Sequence, residues 1–399
     1  MNIKIYTLTS PLHDAKAENA FTQKFLQELG VEHELKGDSF DDFGSEGLNL
    51  IYVRTGGTEN LFLQLLPQLL KRTDRPFYLL ASGRSNSLAA SMEILSYLHE
   101  NNLKGEIIHG SAHYMAARIK LLARVEEART RLAGMRLGIV GRPSDWLISS
   151  QASLQAVKQK LGIELIDIPM QELLDACATL KDVQDATLAL KAPSEAIKES
   201  IPGALRIYEA LKTVVKRHEL QGFSIRCFDL LTSVHNTGCI ALAKFNSQGI
   251  VAGCEGDVPA MLSMAIVQAI TGLTGFQSNP ARINPETGEM LMAHCTIPFN
   301  LTETYELDTH FESGIGVGIR GYMKEGDVTI VKVSGDLSRH FVEEGQLLHN
   351  QAEPNLCRTQ QVIQLNRPEK ASYFLTNPIG NHHIIVPGHF KQEIDELLG

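Results

Sequence analysis

The pattern of apolar and polar positions divides the chain into three stretches. Through about residue 133, short apolar runs alternate with longer amphipathic segments. The runs at 3–8, 48–53, 77–81 and 105–109 read as strands, and 60–71 and 88–101 as helices. Strands separated by helices of this length imply a parallel sheet with crossover helices. A long charged-faced helix over 116–131 ends at Gly134, the residue that most readily closes a helix. From Met135 the alternation resumes: strand 136–140, helix 149–161, strand 163–168, helices 183–190 and 201–218, strand 223–231, a turn and helix over 235–243, and a short strand 250–252. Met261, Leu262, Met264, Ala265, Ile266, Ala269 and Ile270 then recur at helical intervals. After Gly275 the helical period gives way to β-branched segments at 288–298, 317–322, 327–334 and 358–365, and a helix over 390–398 closes the chain. The expected fold class is α/β. Two Rossmann-like parallel-sheet domains, 1–133 and 134–275, precede a smaller β-rich, barrel-like C-terminal domain, 276–399.

Composition narrows the classes of function. The 399 residues exceed one ordinary core, and 43% hydrophobic with 21% charged is the balance of a soluble globular protein. A net charge of -9 and no basic stripe argue against nucleic acid or an anionic membrane as partner. The N-terminus enters a strand with no signal-peptide apolar region, and no run approaches a membrane span. The six cysteines lie far apart with no CxxC spacing, so a reduced, cytoplasmic setting is expected over a disulfide framework.

Candidate chemistry gathers where predicted strands end. Arg54–Glu59 and Ser82–Ser87 each follow a strand and open a helix; such loops either hold an anion or are simply capped by Thr58, Ser85 or Ser87. Trp146 follows the 136–140 strand, where an indole either stacks on a sugar face or anchors packing. Glu255 and Asp257 lie between a strand and a helix, the junction at which open α/β sheets bind ligands, and Asp257 also suits a helix N-cap. Asp229, near the end of the 223–231 strand, converges with them if the two strands are neighbours. Two carboxylates with an imidazole suit a divalent ion of the manganese or magnesium kind. Such an ion holds adjacent sugar oxygens, and a carboxylate beside it moves a proton between neighbouring carbons. The run 314–318, with alternating glycines, reads as a bulged or crowded strand. Histidines 382, 383 and 389 are each compatible with ordinary surface or core roles.

Three motifs together resemble the L-fucose/L-arabinose isomerase family, the L-fucose branch most of all. They are Gly253-Cys-Glu-Gly-Asp257 with the helix after it, Ala293-His-Cys-Thr-Ile-Pro298, and Asn381-His-His383 followed by Gly388-His389. The resemblance covers about Arg136 to the end. It implies a metal-dependent ketol isomerase (an intramolecular oxidoreductase), with manganese the expected ion, acting on a small-molecule sugar through an enediol. It also implies a homo-oligomer, hexamer or trimer, with the site near a subunit boundary. Carried onto this chain, it implies Asp229, Asp257 and His382 as metal ligands, with Asp229 and Asp257 also moving the proton. Trp146, Glu255, His294, His389 and Arg358 are then expected at the substrate. Where the family has a glutamate this chain offers Asp229, one methylene shorter. That departure motivates two alternatives, another enediolate reaction (epimerisation or sugar cleavage) and a non-catalytic sugar-binding or regulatory protein.

Overall fold

The computed structural model describes residues 2–399. The chain divides into two compact units, Met1–Thr130 and Arg131–Gly399. The first unit holds five strands: β1 (Ile3–Leu8), β2 (Glu34–Gly37), β3 (Leu48–Val53), β4 (Phe77–Ala81) and β5 (Gly105–Ile108). They form one parallel sheet in the order β2-β1-β3-β4-β5. Alternation of side chains along a strand feeds two cores, one on each face. Ile3, Ile5, Leu48, Leu50 and Tyr52 pack on one side, and Tyr6, Leu8, Ile51 and Val53 on the other. Both faces are therefore covered, which is why these strands read as continuous apolar runs. The loops after β3 and β4 join through Gly56 N–H to the Ser85 carbonyl at 2.7 Å. Neither expected cap forms: Thr58 donates back to the Thr55 carbonyl, and Ser87 accepts from Ser82 N–H.

The second unit begins with a four-stranded parallel sheet: β6 (Arg136–Val140), β7 (Glu164–Ile168), β8 (Gly222–Ile225) and β9 (Val251–Gly253), in the order β7-β6-β8-β9. The strand order reverses between β6 and β8, so the loops leaving their carboxyl ends diverge and open a crevice. Helix Glu195–Arg217 joins two cores: Ile207, Tyr208, Leu211 and Val214 pack in the core of this sheet, and Ile197, Ile201 and Leu205 in that of the barrel that follows.

Helix Val258–Thr271 is apolar almost all round, the signature of a helix enclosed on every side. It packs against β8 and β9 of the sheet and against two strands of the barrel that follows. Each fully buried Leu, Ile or Met on it contributes about 1.5–3 kcal/mol relative to exposure. Asp257 caps its start by accepting the Ala260 N–H, and Gly272 closes it in the left-handed conformation.

The rest of the chain is β10 (Phe276–Ile283), β11 (Glu289–His294), β12 (Thr304–Asp308), β13 (Gly318–Tyr322), β14 (Gly326–Val333), β15 (His340–Gln351), β16 (Thr359–Leu365) and β17 (His383–Pro387). Six of these close into an antiparallel barrel, β10-β11-β16-β15-β14-β17, and β12 pairs with β13 as a separate ribbon. Closure leaves the barrel no free edge. The expected α/β class, with two parallel sheets and a C-terminal barrel, is the observed one. Among the described residues no helix is long and apolar enough to cross a membrane.

Local differences from expectation have local causes. The strand expected over 223–231 stops at Ile225, where Cys227 N–H turns back to the Ile225 carbonyl. Asp229 then opens a short helix, Asp229–Ser233, and does not lie at a strand end. Helix Leu154–Leu161 starts later than the expected 149, where Ser153 caps it by accepting the Ala156 N–H. The glycines near 316 form a turn rather than a strand. Gly316 has φ +62°, and a Cβ there would meet Thr237 Cγ2 at 2.7 Å.

Candidate functional site

The carboxyl ends of β6, β8 and β9 face the ends of β11 and β17, and a cavity of about 370 Å³ lies among them. Trp146 comes from the loop after β6, Cys227 and Phe228 from that after β8, and Cys254 and Glu255 from that after β9. His294, Cys295 and Thr296 come from the end of β11, and Asn381 from just before β17. The sheet and barrel are pinned beside the cavity by Gln277 of β10, whose Oε1 accepts the Cys254 N–H at 2.9 Å.

The loop Cys254–Asp257 is built tightly. Glu255 and Gly256 both adopt left-handed backbone, φ +63° and +69°. For Glu255 this is a strained conformation, of the kind that persists where surrounding contacts enforce it. Two contacts do so: Ser144 N–H donates to the Glu255 carbonyl at 2.9 Å, and Gly256 N–H donates to the Ile225 carbonyl at 2.7 Å. The strain turns the Glu255 carboxylate into the cavity, where Trp146 Nε1–H donates to its Oε2 at 2.7 Å.

Glu255, His294 and His382 then form one buried group, each offering a donor atom within 4.8 Å of the others. Glu255 Oε1 lies 3.4 Å from His382 Nε2 and 3.8 Å from His294 Nε2. His294 Nδ1 engages Thr296 Oγ1 at 3.0 Å. His382 Nδ1 lies 2.8 Å from Asp257 Oδ2, so a proton there is held by the carboxylate and Nε2 is turned toward Glu255. That Nε2 is buried and makes no aligned hydrogen bond, which a metal ion would remedy. One carboxylate and two imidazoles suit a divalent ion, so the residues present fit the expected cofactor class. Behind the group, Lys332 of β14 is almost wholly buried, with Nζ 3.5 Å from Asp257 Oδ2.

The electrostatics follow from burial against pairing. Burial opposes ionisation of Glu255, yet His382 and His294 hold its carboxyl well below the usual carboxylate range. Asp257 is likewise opposed by burial and is still lowered to about 2 by Lys332, His382 and the Ala260 N–H. Burial pulls the His382 imidazole down, but Glu255 and Asp257 prevail and raise it to about 9. His294 is lowered, because burial outweighs its contact with Glu255.

The structure groups the sequence-predicted residues differently from the expected triad of 229, 257 and 382. His382 joins Glu255 and His294, both expected at the substrate. Asp257 stands behind them, on the far side of the His382 ring. Asp229 does not join them: its side chain is 40% exposed and paired with Arg226 Nε at 3.0 Å. The guanidinium of Arg226 also grips Asp145 and the Pro143 carbonyl, so the Asp229 carboxylate is held within that network. His389 is exposed and paired with Asp327 and Glu344, outside the cavity lining. Arg358 does not line the cavity either; it is spent on Asp308 and on the Thr309 carbonyl and hydroxyl. Trp146 lines the cavity and also packs edge-on to Phe228, with centroids 4.7 Å apart. His383 points into the barrel core, hydrogen-bonded to Tyr373 and the Asn381 carbonyl. Sequence reasoning missed that five of the six cysteines, 227, 239, 254, 295 and 357, line this one cavity. Their wide spacing hid it, and only Cys254 and Cys357 lie beside predicted strand ends, whereas Cys227 falls in the middle of one.

No protein-family model matches this chain. It is similar to the sulfoquinovose isomerase of Priestia aryabhattai, 23% identical over 264 residues, which cover 63% of this chain and 59% of that protein. It is also similar to the sulfoquinovose isomerase of Clostridium sp. (strain MSTE9), 26% identical over 186 residues, 45% of this chain and 41% of that one. A third, from Alkalicoccus urumqiensis, is 20% identical over 265 residues, covering 62% of this chain and 59% of its own length. The chain thus spans about three fifths or less of the curated relatives it matches, and each of these is named as an isomerase of one sulfonated sugar.

Proposed function

We propose that this chain is an aldose–ketose isomerase that works with a divalent metal ion, of the manganese or magnesium kind, on a neutral sugar. The observation that carries the reading is the buried Glu255–His294–His382 group, with one imidazole nitrogen lacking a hydrogen bond, beside a cavity of ligand size. The relatives' names support the same reaction class. A divalent ion held by Glu255, His294 and His382 would supply Lewis acidity to a sugar carbonyl and its neighbouring hydroxyl.

The chain's own residues do the rest. Asp257 fixes the His382 ring through Nδ1 and so presents Nε2, as carboxylates behind metal-bound imidazoles do. Trp146 fixes Glu255 from the other side and, with Phe228 and Leu231, gives the cavity an apolar wall suited to a sugar face. Among the described residues no lysine or arginine lines the cavity, whereas the carboxylate-bearing Glu255 and Glu312 do. Burying a sulfonate without a cation partner is costly, so the lining favours an uncharged sugar over the sulfonated one in the relatives' names.

The test is a proton-exchange screen. The enzyme, supplied with manganese chloride in deuterated buffer, is incubated with L-fucose, L-arabinose, other neutral aldoses and 6-sulfonated glucose. Deuterium should enter carbon-bound positions of a neutral sugar, and a chelator should stop it. Exchange on no sugar would remove the isomerase reading; exchange on the sulfonated sugar alone would remove only the neutral-substrate part.

A further inference from the structure

Enediol chemistry needs a side chain that takes a proton from one sugar carbon and gives it to the next. Neither expected carboxylate is placed to do so. Asp257 is fully buried and already accepts from Ala260 N–H, His382 and Lys332. Asp229 is bound to Arg226 and does not line the cavity. Glu255 is engaged by Trp146 and flanked by His294 and His382. The thiols are engaged elsewhere: Cys227 Sγ lies 3.1 Å from Cys254 Sγ, Cys295 Sγ accepts the Arg358 N–H and pairs with Cys357, and burial pushes Cys239 up.

Resting on the isomerase reading above, we propose that His310 is the catalytic proton carrier of this site. Its imidazole lines the cavity with Glu255 and His294, from a different loop. The Nδ1 atom engages Ser313 Oγ at 2.9 Å, and Nε2 has no hydrogen-bond partner among the described residues. The ring is held at its edge by Phe228, centroids 5.5 Å apart. Its loop is fixed as well. His310 N–H donates to the Ile315 carbonyl at 3.1 Å, the His310 carbonyl accepts Gly314 N–H at 2.9 Å, and Arg358 Nε–H donates to the Thr309 carbonyl at 2.8 Å. Gly316, in left-handed backbone against Thr237, seats the same loop. These contacts hold the ring at the cavity wall, which limits the reorganisation a proton transfer would require.

In the forward step His310 takes the C2 proton of the open-chain aldose, the C–H electron pair becomes the C1=C2 bond, and the carbonyl π pair moves onto O1. The imidazolium then returns its proton to C1 as the O2 hydroxyl proton passes to O1, leaving the ketose and neutral His310.

The experiment compares wild type, His310→Gln and His310→Ala, each supplied with manganese chloride, with L-fucose and L-arabinose as probes in deuterated buffer. The expected result is a fall in kcat and in deuterium incorporation of about 100-fold or more. KM should stay within about threefold, with manganese content and melting temperature unchanged, and added imidazole should restore part of kcat in His310→Ala. Incorporation in His310→Gln above about one third of the wild-type rate would overturn the assignment. So would a loss that tracks manganese content or melting temperature and is not relieved by imidazole. A wild type that exchanges neither these probes nor any other sugar would remove the isomerase reading itself, and this assignment with it.

Discussion

Asp257 has two attachments that pull in different directions along the chain. One oxygen caps helix Val258–Thr271, and the other holds His382, 125 residues away. The carboxylate therefore ties the start of the helix to the ring that presents Nε2. Asp257→Asn should lower manganese affinity about 10–100-fold by loosening that ring, whereas Asp229→Asn should leave it within about threefold. Calorimetric titration of both variants checks the contrast, and equal losses would restore Asp229 to the metal group. The raised His382 adds a second expectation. Below about 9 its imidazole carries a proton that an ion must displace, so apparent affinity should climb about tenfold per pH unit from 6 to 8. Titrations at pH 7 in two buffers of different ionisation enthalpy should report about one proton released per ion bound, a number that His382→Gln should abolish. In the metal-free protein the same raised value stabilises the fold fully below about 6.5, and that contribution is lost as pH rises through about 9.

At the scale of elements, the turn between β9 and helix Val258–Thr271 sets the aim of Glu255. Gly256 sits there at φ +69°, and a Cβ would come within 2.5 Å of the Arg142 carbonyl oxygen. Gly256→Ala should cost about 1–3 kcal/mol of stability and also weaken ion binding, because the turn would have to move and carry Glu255 with it. Chemical denaturation with a parallel manganese titration separates the two effects; an unchanged affinity would mean the turn does not position the carboxylate. This element was legible in the sequence, since an apolar run, Gly-Cys-Glu-Gly-Asp and a helical period mark strand, turn and capped helix. Much of the parallel sheets was legible for the same reason: their buried strands are short apolar runs. The barrel was read less completely. β10 and β15 escaped because Phe276–Ile283 contains Asn279 and Pro280, and His340–Gln351 is largely polar along one face; β17, a short apolar run, was also missed. Asp229 misled because FSIRCFDLL has strand composition throughout. What ends the strand is the turn at Cys227, a backbone hydrogen bond that leaves no compositional trace. Glu255 and His294 were noticed, but which carboxylate meets which imidazole depends on how the barrel closes onto the sheet, and spacing along the chain does not encode that.

For the whole molecule, every residue of the cavity and of the buried Glu–His–His group lies in the unit Arg131–Gly399. Ion binding should therefore stabilise that unit selectively. Manganese at 100 times its dissociation constant should add about 2.7 kcal/mol to it. Hydrogen exchange should slow across Val251–Thr271 and around His382 while the sheet β1–β5 exchanges as before; uniform protection of both units would contradict the assignment. The buried ammonium of Lys332 gives this unit a further property. With His382 protonated, two carboxylates face two cations, and the buried group carries no net charge. Exchanging that proton for a dication leaves one positive charge beside the cavity. An enediolate bears one negative charge, so the loaded interior would be poised to neutralise the fleeting intermediate and would have far less attraction for the uncharged sugars on either side of it.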